Sequence, residues 1–219
     1  KRQILNTVGT DADLSLGWLS HQSVVLADQP CALIRVSFAG ELGWEVHAEN
    51  AKIPILYDAI ISAGAKPFGM YALNSLRIEK GYRAWKGDLS TDYSLFEGGL
   101  GRFVKLDKVE NFPGKAALQN EMQQGSKKFF ATLIVEAGAS DAPYMSTIWY
   151  EGKIVGETTS GAFGYRVGKS IALCVLRSDV AAAGTEVEVE IFGQRCKATV
   201  QLDQPLWDAT NAVSYTHLR

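Results

Sequence analysis

At 219 residues the chain has room for one large domain or two modest ones. Its 47% hydrophobic and 21% charged content excludes a disordered chain. The 22 Lys+Arg nearly balance 24 Asp+Glu, and no apolar run approaches the ~20 residues that span a bilayer, so neither nucleic acid nor membrane is an expected partner.

The start, Lys1-Arg2-Gln3, has no apolar signal-peptide core behind it. The expected location is cytoplasmic, or the mitochondrial matrix for a eukaryotic source. Two β-branched runs, 23–27 and 31–38, flank Asp28-Gln29-Pro30 and predict a hairpin. Gly40-Glu41-Leu42-Gly43 reads as a tight connection into a third strand over 44–48. Helices are predicted over 51–63 behind an Asn50 cap, over 70–80 between Gly69 and Gly81, and over 115–124 after Pro113-Gly114. This half is α+β.

After Gly125 the pattern changes. Short β-rich runs at 127–136, 170–176, 186–192 and 195–202 alternate with glycine turns, and 147–156 reads as a hairpin turning at Glu151-Gly152. Gly193-Gln194 is the expected turn between the last two strands. The pattern predicts a small antiparallel barrel or sandwich, with a domain boundary between 125 and 126.

Several familiar chemistries find no support. Cys31, Cys174 and Cys196 form no CxxC pair and read as reduced thiols. His21, His47 and His217 lack ligand spacing, so no metal is expected. There is no GxSxG elbow. Gly168-Lys169-Ser170 looks like the end of a phosphate loop, but Phe163 stands where that loop needs glycine, and the segment leads into a strand. Two features remain. Glu41 and Glu45 flank a glycine turn, one expected inward and the other solvated. Arg77 sits among Leu73, Leu76 and Ile78 on a helix face suited to burial, where a guanidinium needs an acceptor. That acceptor is either an internal acid such as Glu97 or Glu79, or a ligand carboxylate or carbonyl-rich heterocycle.

Six motifs occur in a specific order: 37–45 (SFAGELGWE), 72–81 (ALNSLRIEKG), Gly87-Asp88-Leu89, Glu97-Gly98-Gly99-Leu100, 112–118 (FPGKAAL) and 155–161 (VGETTSG), with Pro205-Leu206-Trp207-Asp208 near the end. Together they resemble the glycine-cleavage T-protein (aminomethyltransferase) superfamily. The run Glu79-Lys80-Gly81-Tyr82-Arg83-Ala84-Trp85 resembles the branch fused to flavin-dependent dimethylglycine and sarcosine dehydrogenases more than the free T-protein.

The resemblance implies a fold and a chemistry. Residues 1–125 would be the C-terminal part of a folate-binding α/β-sandwich (ferredoxin-like), and 126–211 the β-barrel, with 212–219 an atypical tail that reads as a scar. Tetrahydrofolate would be the cofactor and a methylamine-type compound the one-carbon donor, with FAD only in a preceding N-terminal domain. Glu45 takes the place of the family's pterin-binding glutamate and is expected to face a cavity beside Arg77, the second folate contact. Phe38 stands where many members have tyrosine, so it stacks but offers no hydroxyl. Trp44 and Trp85 are candidate cavity walls. Leu73 replaces an arginine of some members. The family's catalytic aspartate would lie upstream of Lys1, with neither Asp11 nor Asp13 replacing it, and the chain alone is expected to be inactive. A stand-alone aminomethyltransferase served by a lipoyl carrier protein, and a folate-binding paralogue without transfer activity, are the alternatives.

Overall fold

The computed structural model describes residues 1–9, 12–138, 140–201 and 203–210. Asp11 and the tail at 212–219 lie outside these. Among the described residues the chain forms two compact units, Lys1–Asn74 with 208–210, and Ser75–Trp207.

In the first unit, α1 (Arg2–Val8) precedes an antiparallel sheet of β1 (His21–Leu26), β2 (Gln29–Ile34) and β3 (Glu45–His47) in that order, followed by α2 (Ile53–Ser62). Strand alternation sends Val24, Leu26, Cys31 and Leu33 inward, where they pack with Leu5 and Leu56. The hairpin turn is Ala27-Asp28, both at positive φ, and Pro30 lies inside β2 opposite Val25. The turn is thus tighter than expected, because a two-residue turn with positive φ matches the twist of its strands. The helix over 51–63 also starts differently. Asn50 opens a 3-10 turn through Lys52, and the α-helix begins at Ile53 with a proline in its first turn.

The helix α3 (Met70–Glu79) carries the chain into the second unit. There α4 (Lys115–Gln124) lies between Gly114 and Gly125, both at positive φ. Six strands follow: β4 (Lys128–Val135), β5 (Thr147–Tyr150), β6 (Lys153–Gly164), β7 (Lys169–Arg177), β8 (Glu186–Ile191) and β9 (Gln194–Val200). They form a closed antiparallel barrel in the order β4-β7-β6-β5-β8-β9, with β9 pairing back to β4, so the barrel and not the sandwich is found. The last turn is Phe192-Gly193, one residue earlier than predicted.

Along β7, Ala172, Cys174 and Leu176 fill the barrel interior, while Ile171, Leu173 and Val175 pack outside against Ile78 of α3. A strand covered on both faces reads as an unbroken apolar run, which is why this one was legible. Among the described residues no helix is long and apolar enough to cross a membrane.

Candidate functional site

In the first unit the sheet decides where Glu45 points. Val46 stands opposite buried Leu33, so the flanking Glu45 and His47 share the other face. Glu45 is exposed, and its Oε2 lies 2.9 Å from His47 Nε2. The expectation that Glu45 is turned away from solvent is corrected: period-2 alternation on a three-residue strand gives the inward position to Val46 instead.

Phe38 lies in the connection after β2 and is 40% exposed. Trp44 packs against the sheet core, with its indole Nε1 buried and without an acceptor among the described residues. The connection from 37 to 44 closes tightly on itself. A Cβ on Gly43 would come within 2.8 Å of Ser37 Cβ and 3.2 Å of the Val36 carbonyl. Glu41, on the same turn, pairs with Lys1 Nζ at 2.9 Å.

Arg77 belongs to the second unit and is 3% exposed. Its Nη1 donates to Asp88 Oδ2 at 2.5 Å and to the Tyr82 carbonyl at 2.9 Å, and its Nη2 donates to Ser160 Oγ at 2.8 Å. The acid expected beside Arg77 is therefore neither Glu97 nor Glu79. Asp88 is fully buried and accepts further bonds from the Ala84 amide at 2.8 Å and the Thr159 and Ser160 hydroxyls at 2.6 Å each.

Two consecutive residues of one strand reach Asp88 because β6 carries a bulge between Thr158 and Ser160. In a regular strand Thr159 and Ser160 would face opposite ways; the inserted residue turns both outward to the acid. Three sequence motifs, the end of α3, Gly87-Asp88-Leu89 and the Thr-Thr-Ser run, thus converge on one buried network. Sequence reasoning quoted these segments but assigned Asp88, Thr159 and Ser160 no role. The available signal was three hydroxyl residues inside a strand that otherwise faces apolar neighbours.

Glu79, also fully buried, serves a different contact. Its Oε1 accepts the Arg166 and Val167 amides of the β6–β7 turn at 2.7 and 3.3 Å, and its Oε2 lies 3.7 Å from Arg166 Nη1. Its main-chain carbonyl accepts the Leu206 and Trp207 amides. The Arg166 guanidinium stacks 4.0 Å over the Trp207 ring. Trp85, a candidate cavity wall, is instead 67% exposed, on a loop held from below by Asp88.

Two domain families match this sequence in turn: the GCVT N-terminal domain over residues 1–108, and the glycine cleavage T-protein C-terminal barrel domain over 128–208. The chain belongs to the glycine cleavage T-protein family. Within it, the chain is 39% identical over 212 residues to dimethylglycine dehydrogenase, mitochondrial, of Mus musculus, covering 94% of the chain and 24% of that protein. It is 38% identical to sarcosine dehydrogenase, mitochondrial, of the same species over 80% of the chain and 20% of that protein. To an aminomethyltransferase of Rippkaea orientalis it is 34% identical over 91% of the chain and 54% of that protein. The chain spans about a quarter of the dimethylglycine dehydrogenase. The fold matches the crystal structure of glycine cleavage system aminomethyltransferase T from Bartonella henselae, with TM-score 0.79 at 21% identity over 90% of this chain and 55% of that one.

Proposed function

We propose that the chain is the tetrahydrofolate-binding, one-carbon-transfer region of a longer flavin-dependent dehydrogenase acting on an N-methylated amino acid of the dimethylglycine or sarcosine type. The observation that carries this is the 39% identity to a dimethylglycine dehydrogenase across 94% of the chain, against 34% for the aminomethyltransferase. FAD belongs, on this reading, to a separate N-terminal domain, and a eukaryotic source would place the protein in the mitochondrial matrix.

The side chains of the first unit suit a folate in type. Glu45 offers an exposed carboxylate, able to accept two parallel N–H bonds from an amino-pyrimidine edge in place of His47. Phe38 offers a ring face. The Trp44 indole N–H is a buried donor for which a carbonyl-rich heterocycle supplies an acceptor. We read Arg77 as scaffold, since at 3% exposure its guanidinium has its acceptors within the fold. Tetrahydrofolate, when bound, supplies N5 as the acceptor of the one-carbon unit. The part of this chain is to orient the pterin through Glu45 and Phe38 and to keep water from the reacting carbon.

Titration of tetrahydrofolate into the full chain tests the assignment. Glu45→Gln weakens binding by about 1–3 kcal/mol, the cost of a lost charge-assisted bond. An unchanged affinity removes Glu45 from the site. A stand-alone aminomethyltransferase working with a lipoyl carrier protein is the second reading, favoured by the match to the Rippkaea orientalis protein. The upstream coding sequence separates the two: a GxGxxG flavin-domain fingerprint supports the first, and a T-protein start without one supports the second.

A further inference from the structure

Arg35 is 7% exposed, a buried charge at the end of the small sheet. Its guanidinium lies 5.2 Å from the Trp44 ring centroid and 5.9 Å from that of Trp18, and its Nη1 donates to the Gly43 carbonyl at 3.0 Å. Its main chain is tied as well. The Arg35 amide donates to the Ser20 carbonyl at 2.9 Å, and its carbonyl accepts the Leu19 amide at 3.0 Å. One residue therefore fastens the loop before β1, the end of β2 and the Gly40–Glu45 connection to each other.

That connection ends two peptide bonds beyond Gly43, at Glu45. We propose that Arg35 is a positioning residue, whose guanidinium fixes the Gly43 carbonyl and so sets where the Glu45 carboxylate meets the pterin edge; this rests on the reading of Glu45 given above. The choice of side chain follows from the contacts. A guanidinium presents flat faces to indoles while its edge N–H groups reach carbonyls; an ammonium has one point charge and no face. A lysine at this position keeps the charge and loses the geometry.

Hydrogen exchange and tetrahydrofolate titration of the full chain, run on Arg35→Lys beside Glu45→Gln, test the inference. The expected result for Arg35→Lys is exchange about tenfold faster at amides 41–45, unchanged exchange in the barrel strands, and affinity about tenfold weaker. Trp18→Ala, which removes a ring from the exposed side of the clamp, gives a smaller change of the same sign and serves if Arg35→Lys does not fold. Unchanged exchange at 41–45 in both variants overturns the clamp. Faster exchange with unchanged affinity, while Glu45→Gln weakens binding, overturns the positioning role and leaves a packing role. An unchanged affinity in Glu45→Gln overturns the folate reading itself, and the positioning role with it.

Discussion

Asp88 shows how much one buried carboxylate can organise. It accepts bonds from a guanidinium, a loop amide and two hydroxyls, and each donor comes from a different turn or strand position. Removing its charge while keeping its shape leaves Arg77 buried without a counter-charge. Asp88→Asn is therefore expected to cost about 3–5 kcal/mol in urea unfolding, the range for breaking one side of a buried pair. A loss below 1 kcal/mol would show that Arg77 is compensated by its neutral acceptors alone. At this scale the need was legible in sequence and the partner was not. An arginine flanked by Leu76 and Ile78 announces that it requires an acceptor. Which acid answers depends on how the loop from Gly81 closes and on a bulge in a strand far along the chain. For Glu45 the reverse holds: a motif named the residue, but the facing of its side chain followed strand register.

Among elements, those marked by flanking glycines or an unbroken apolar run were read correctly, and those without such a mark were missed or cut short. The helix at Lys115–Gln124 and the strand at Lys169–Arg177 carry clear glycine punctuation or unbroken apolar runs. By contrast α1 buries one side chain, Leu5, which is too little period to detect. The strand β6 continues to Gly164 through Thr158, Thr159, Ser160 and Gly161, where a polar run ending in glycine, a residue depleted in strands, carries no apolar alternation to mark it. Its glycine at 161 has a packing reason: a Cβ there would come within 2.1 Å of the Ala142 carbonyl oxygen. Backbone cannot move aside as a side-chain tip can. Gly161→Ala is expected to lower the stability of the barrel by about 1–3 kcal/mol, read as a lower urea midpoint at unchanged slope. Wild-type stability in that variant would mean that the 141–146 segment yields freely.

For the whole molecule, the local pattern conveyed that an α+β region precedes an antiparallel barrel or sandwich, because turn glycines and strand lengths are local. Strand order and closure of β9 on β4 were not conveyed, since they are set by contacts between distant residues. One overall property follows from Tyr93. Burial, and then the negative charge of Glu157, push its phenol from the ordinary 10.0 up to about 12. The neutral phenol is thus favoured by folding. Its contribution is fully present below pH 10, the value of an unfolded tyrosine, and is lost as pH rises toward 12. Tyr93→Phe should flatten the fall of Tm with pH across that window, and an identical slope in both proteins would remove Tyr93 as its source. The grip of Glu79 has a further consequence for biosynthesis. Its carboxylate leaves the ribosome 87 residues ahead of the Arg166 amide that receives it, a delay of roughly 4 to 17 seconds at typical translation rates. Until then the acid stays hydrated, so the end of this helix must remain open to water, and vulnerable to proteases, while the barrel is being made.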